Sequence, residues 1–470
     1  MQKIHHTPIS DHTARLIAFA AHTQFENIPA DAIVNARRCL LDAIGCGLFG
    51  ASQTWTNIMA SQLLAEKSQG VSTVFGHATP LAAPAAALSN GTAIHGFELD
   101  DLLPAAIIHP GTVIIPALLA VAESQNVSGD ALLRAIAIGY EVTARISIAM
   151  GQHASHHGFH KTSVVGPVAS SIAAASLLGL NTDQITCAAG IAASMASGVK
   201  AYVASGGGGM VKRMHAGWAA ASGVRAALLA RDGFTGPSGA VDGRYGLLEV
   251  FGGNAANPEH LTAGLGAGWA INAVWFKVYP MCGWIQGVSQ LLSGMRHEIT
   301  GGKPLHTSDI RKITVGTSVF AVNGNSNPAP ADTMDAQYSI PYCAGLALTG
   351  DPGDPRAFEP AMFNDPTLRD LATRVEVVPD EACEAVYPAH FGSRVTLQLT
   401  SGASKTALTL DPHGTPADPC SDAELDTKFK RLAALSPLAV DANAMTQAVL
   451  SLDARMRVSE LSRLLRAGIC

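Results

Sequence analysis

At 470 residues, 48% apolar and 14% charged, the chain has material for two or three domains around a large core and lacks the charge density of a disordered chain or a solvated coiled coil. Its 31 Lys and Arg against 37 Asp and Glu leave a net charge of −6, with no long basic run, which argues against nucleic-acid binding. Eight scattered cysteines (Cys39, Cys46, Cys187, Cys282, Cys343, Cys383, Cys420 and Cys470) show neither Cys-x-x-Cys nor zinc spacing and read as free thiols of a reducing compartment. Met1 to His6 contains no charged segment feeding an apolar one, so no signal peptide is expected and a cytoplasmic location is predicted.

From the start to about residue 265 the pattern is helical, with Ala-rich segments separated by Gly, Pro, Asn or Asp. Helices are predicted over 11–19, 29–49, 80–101, 112–124, 129–150, 164–178, 183–199 and 208–230, with no strands among them. Thr112 is expected to cap its helix and to leave Pro116 in the first turn. Thr162 to Thr182 is uncharged, but its Ala, Ser and Gly content and Pro167 indicate a buried helix and no membrane partner. After Gly268 the texture becomes β-rich at 312–320, 374–378, 394–399 and 406–410, which predicts a small antiparallel sheet with helices at 283–296 and 335–347 interleaved. Asp411 to Pro419 forms the next boundary, and Ser421 to Glu424 reads as a capping box that returns the chain to helix. The predicted organisation is therefore a discontinuous helical domain, 1–267 with 412–470, and an inserted α+β domain, 268–411.

The densest polar cluster is His95-Gly-Phe-Glu-Leu-Asp-Asp101, followed by His109-Pro-Gly111. On a continuous helix His95, Glu98 and Asp101 share a face while Asp100 points away. Crowded carboxylates resist simultaneous ionisation, and an imidazole at a helix N-terminus tends to stay neutral and available as a base; a capped helix end with an ordinary loop histidine is the alternative. A second cluster, His153, His156, His157 and His160, has no carboxylate among it and reads as a loop with one functional imidazole, His160, rather than as a metal site. Gly206 to Gly209 precedes Lys212, an arrangement that suits a carboxylate better than a nucleotide, or else is a surface loop. Lys277 is a lone cation in apolar surroundings, which requires a substrate carboxylate or a neighbouring acid as partner. Tyr338 and Tyr342, four apart, either line a pocket or pack in the core. No G-x-S-x-G, H-E-x-x-H, EF-hand loop or dinucleotide fingerprint occurs, so no cofactor is expected.

Taken in order, Asn90-Gly91 with His95 to Gly111, Gly139-Tyr-Glu141 with Arg145, Gly158-Phe-His160 through Gly166-Pro167, Lys212-Arg-Met-His-Ala-Gly217, Lys277 with Tyr279-Pro280, and Asp335 to Tyr342 resemble the MmgE/PrpD family, which includes 2-methylcitrate dehydratase, cis-aconitate decarboxylase and iminodisuccinate epimerase. The resemblance implies a mainly α fold, with a helical domain built from both chain ends and a smaller α+β lid, in a homodimer. It also implies a metal-free site for a polycarboxylate at Glu98, Asp101, His109, His160, Lys212, Lys277 and Tyr342. Decarboxylase members of similar motif have Asp at the place of Glu98 and Thr at that of Leu102. The missing hydroxyl weighs against cis-aconitate decarboxylation.

The shared chemistry is proton transfer at a carbon next to a carboxylate, which requires a cation where charge develops. Lys212 and Lys277 are assigned to substrate carboxylates, His109 to proton transfer, His160 to a second acid/base or hydrogen-bonding role, Glu98 and Asp101 to orienting these groups, and Tyr342 to closing the pocket. The expected enzyme is a lyase, chiefly a dehydratase, with an epimerase or a decarboxylase as alternatives and a non-catalytic binding protein as a different class.

Overall fold

The computed structural model describes residues 11–204, 209–436 and 438–466. Of the segments discussed above, Met1 to His6, Gly206 to Gly208 and Cys470 lie outside the described residues.

The first part is a stack of helices: Asp11–His22, Ala30–Gly50, Thr54–Ala65, Ala83–Ile94, Gly111–Gln125, Gly129–Met150, Lys161–Leu177, Thr182–Ala193 and Gly209–Arg231. Every residue of Lys161–Leu177 is buried, as an uncharged stretch with apolar or small side chains on all faces demands. Small residues set how closely these rods approach. A Cβ on Gly217 would come 2.1 Å from the Leu88 carbonyl oxygen, and one on Gly91 would come 2.6 Å from the Gly217 Cα. The crossing of Ala83–Ile94 with Gly209–Arg231 therefore depends on two bare backbones. Among the described residues no helix is long and apolar enough to cross a membrane, and seven cysteines are unpaired thiols.

Several boundaries differ from expectation. The helix expected over 80–101 stops at Ile94, passes through one 3-10 turn at His95–Phe97, and reverses at Glu98, whose φ is +57°. The helix expected over 183–199 ends at Ala193. Thr112 lies inside its helix, with its hydroxyl donating to the His109 carbonyl. Pro116 falls in the helix interior. Thr54–Ala65 and an antiparallel hairpin, Ser72–Val74 with His77–Leu81, were not anticipated.

The second part holds a four-stranded sheet in the order Val375–Pro379, Ile310–Thr317, Ser393–Leu399, Ser404–Thr409. It is mixed rather than antiparallel. Val315 pairs antiparallel with Val395 on one side and parallel with Val377 on the other, because the chain from Ile310–Thr317 to Val375–Pro379 returns through several helices and so re-enters in the same direction. The helix Gly283–Thr300 covers this sheet. The helix expected over 335–347 is broken into Thr333–Gln337 and Ile340–Thr349, the second capped by the Ser339 hydroxyl accepting from the Tyr342 N–H.

Ser421 and Glu424 form the capping box of Asp422–Leu435. That helix packs on Ala30–Gly50, and Val458–Arg466 packs on Gly111–Gln125. One continuous apolar cluster runs through both parts, so the fold is mainly α with a small α+β portion. It is satellited by Leu102, Trp275 and Phe391.

Candidate active site

A cavity of about 450 Å³ lies where the two parts meet. The helical part contributes His109, His156, His160, Lys161, Lys200, Tyr202 and Lys212 to its wall, and the α+β part contributes Trp284, Phe320, Tyr338 and Tyr387. Aromatic rings with a few convergent polar groups are the usual lining of a small-molecule site.

The segment after Ile94 positions the polar groups. Because the chain turns left-handed at Glu98, the carboxylates that follow are out of phase with the preceding helix. The Asp100 carboxylate, rather than that of Asp101, reaches the imidazoles: its Oδ2 accepts from His95 Nδ1 at 3.0 Å and lies 2.7 Å from His109 Nδ1, while Asp101 offers His109 Nδ1 its backbone carbonyl at 2.9 Å. Burial pushes the Asp100 carboxyl up, but Lys277, His109 and His95 outweigh it and hold the group well below the usual range. Asp100 is therefore a carboxylate. With Nδ1–H donated to the Asp101 carbonyl, a tautomer assigned from this hydrogen bond, Nε2 is the ring nitrogen His109 has left for the cavity it lines.

Asp101 corrects the sequence reading. Its carboxyl accepts from the Gly111 N–H at 2.9 Å and from the Tyr140 hydroxyl at 2.5 Å, so it caps the helix Gly111–Gln125 and faces away from the cavity. Burial pushes its pKa up to about 7, despite the hydrogen bond from Tyr140.

His160 is the N-cap residue of Lys161–Leu177. Its ring stacks over His95, with centroids 5.6 Å apart and planes at 17°, and its Nδ1 lies 3.2 Å from His215 Nδ1. Burial, reinforced by His95 and Lys212, holds the His160 pKa well below the usual value. Burial likewise brings His95 down to about 3 and His215 to about 4, with Lys212 adding to both. These three imidazoles are neutral near pH 7.

Glu98 is the hub of the cations. Lys212 donates to its Oε1, Arg213 donates to the same oxygen at 2.9 Å, and Lys277 donates to Oε2 at 3.0 Å. All four side chains are buried. Desolvation would raise the Glu98 pKa, yet the three cations hold it well below normal. Lys277 is held up by Glu98 and Asp100 against burial and does not line the cavity. Its partner is thus a neighbouring acid, the second of the two alternatives left open above. Lys212 does line the cavity, 5.5 Å from the Tyr338 ring centroid. Tyr342 lies in the core with its hydroxyl on the Ala357 carbonyl, and Tyr338 occupies the wall instead.

Arg213, Gln337, His95 and Asp100 were missed as site residues. Gln337 accepts from Arg213 at 2.7 Å and donates to the Phe97 and Pro280 carbonyls, which locks the hub to the α+β part. The Lys-Arg pair at 212–213 was visible in sequence, but periodicity alone does not place adjacent helical residues on one partner. Of the metal-ligand types, His95, Asp100 and His109 bring donor atoms within 4.8 Å of one another, with Asp100 Oδ2 already engaged by His95 and paired with His109. Leu102 packs with Trp275 and Phe391 and bridges to the Trp275 backbone, away from the cavity.

Residues 14–259 match the MmgE/PrpD N-terminal domain and residues 279–453 the MmgE/PrpD C-terminal domain. The chain belongs to the MmgE/PrpD family. It is 31% identical to a cis-aconitate decarboxylase-like protein, oryM, of Aspergillus oryzae, over 98% of both chains. It is also 28% identical to a cis-aconitate decarboxylase of Aspergillus terreus, over 97% of this chain and 96% of that one. A human cis-aconitate decarboxylase is 29% identical over 85% of this chain and 82% of its own length.

Proposed function

We propose that the protein is a lyase of this family acting on a small di- or tricarboxylate, and that the bond it breaks is the one to a carboxyl group. The observation that carries this reading is the convergence of His109, backed by Asp100, with neutral His160 and cationic Lys212 on one cavity. When a carboxyl next to a C=C or other electron-accepting group leaves as CO₂, its electron pair enters the remaining carbon skeleton. A proton must then be delivered to carbon. Among the described imidazoles on the wall, His109 is the one beside a carboxylate, Asp100 Oδ2 at 2.7 Å, and as general acid it supplies that proton. His160, without such support, serves as a neutral hydrogen-bonding group. Lys212 lies where negative charge builds on the remaining carboxylates.

Dehydration, the chemistry favoured from sequence, uses the same groups. Two points shift the balance to decarboxylation. The relatives named above carry that activity in their names. Leu102, the exchange that weighed against it, does not touch the cavity.

The test is to incubate cis-aconitate, 2-methylcitrate and a chiral dicarboxylate with the enzyme in D₂O and follow proton NMR with CO₂ release. Stoichiometric CO₂ with deuterium at one new C–H position is the expected result. New vinyl signals without CO₂ would reassign the protein as a dehydratase, and deuterium in an unchanged skeleton as an epimerase. No turnover of any of them would remove the lyase reading.

A further inference from the structure

Lys212 and Lys277, the cations a sequence reading assigns to substrate, each have an acidic partner in Glu98, which they share with Arg213. At a different place on the same wall stands a lysine with no such partner. Lys161, the first residue of Lys161–Leu177, is 2% exposed and lines the cavity. Its ammonium donates to the Ser147 carbonyl at 2.8 Å, and no carboxylate is paired with it among the described residues. A buried ammonium that holds one neutral acceptor has donors and charge to spare, and burial without a counter-ion is costly. Ile107, Gln152, Ser155 and His156 share this wall with it, and none carries a negative charge.

We propose that Lys161 is a substrate-binding residue that receives one carboxylate of a polycarboxylate whose other end lies toward Lys212, so that it selects substrates with a carboxylate arm long enough to reach it. The inference rests on the polycarboxylate reading above. The carboxylate supplies the missing counter-charge, and the Ser147 carbonyl already holds the ammonium of this cavity-lining residue before binding. Burial alone lowers the Lys161 pKa to about 7, and a carboxylate seated against the group would favour its charged form.

The test compares Lys161→Met with Lys161→Gln by calorimetric titration with citrate and with succinate, alongside steady-state kinetics on the acid that turns over. Removal of a buried, unpaired cation relieves desolvation, so both variants should fold. The expected result is a loss of citrate affinity of about tenfold or more in both variants, from the loss of a charge-assisted contact, with succinate affinity nearly unchanged and KM affected more than kcat. Unchanged citrate affinity in both variants, or equal losses for citrate and succinate, would overturn the assignment of Lys161 while leaving the lyase reading intact. Wild-type enzyme that binds neither acid and turns over none would overturn the lyase reading, and this inference with it.

Discussion

Two adjacent aspartates do different jobs. Asp100 orients His95 and His109, whereas Asp101 caps a helix through Gly111 and Tyr140. In Asp100→Asn His109 loses its charged partner, and turnover should fall by about a hundredfold or more. Asp101→Asn retains an amide oxygen for the Gly111 N–H and should leave turnover within about threefold of wild type, as expected of a group that touches no reacting atom. The same substitution has a pH signature. The Asp101 carboxyl titrates near 7 in the folded protein and near 4 in an unfolded chain. The folded state therefore holds the extra proton between these values, and the stability it contributes is complete below about pH 4 and lost as pH rises through about 7. Urea midpoints measured from pH 5 to 8 should decline less steeply in Asp101→Asn than in wild type. His95 to Asp101 was legible as a polar cluster, but which carboxylate faces the imidazoles was not, because helical phase carried past Ile94 selects Asp101. The left-handed Glu98 that resets the phase has no local sequence cue, since a non-glycine residue accepts that conformation only when tertiary contacts, here three cations on its carboxylate, hold it there.

At the scale of elements, the site depends on how the helix bearing Lys212 lies against the one that ends at Ile94. In Gly217→Ala the new methyl would meet the Leu88 carbonyl at 2.1 Å and the Thr92 hydroxyl at 2.5 Å, and backbone does not yield cheaply. Overpacking of this kind costs about 1–3 kcal/mol. Urea denaturation should show that loss, and turnover should drop with it as Lys212 shifts from Glu98. Long apolar helices were the most legible elements: Gly129–Met150 matches its expected ends because Gly129 and Gly151 bracket an uninterrupted apolar pattern. The hairpin Ser72–Val74 with His77–Leu81 was illegible because neither strand alternates between buried and exposed positions. Strand direction in the larger sheet was equally hidden, since it is decided by the route of the chain between Thr317 and Val375 rather than by either strand.

Across the whole molecule, the presence of both Ala-rich helices and β-rich segments in the sequence announced a mainly α fold with a small α+β portion. It could not show that their meeting surface is the cavity, because the walls come from residues as distant as His109 and Tyr387. Gln337 reaching across to the Phe97 carbonyl and Arg213 ties the α+β part to the segment carrying His95, Glu98 and Asp100, so the hub and the neighbouring imidazoles are held as one unit. The central claim is that this unit works through His109. The most direct measurement is the turnover number of His109→Ala on the acid that wild type consumes, with the thermal midpoint recorded in parallel. The account predicts a fall of about a hundredfold or more at an unchanged midpoint; turnover equal to wild type would contradict it.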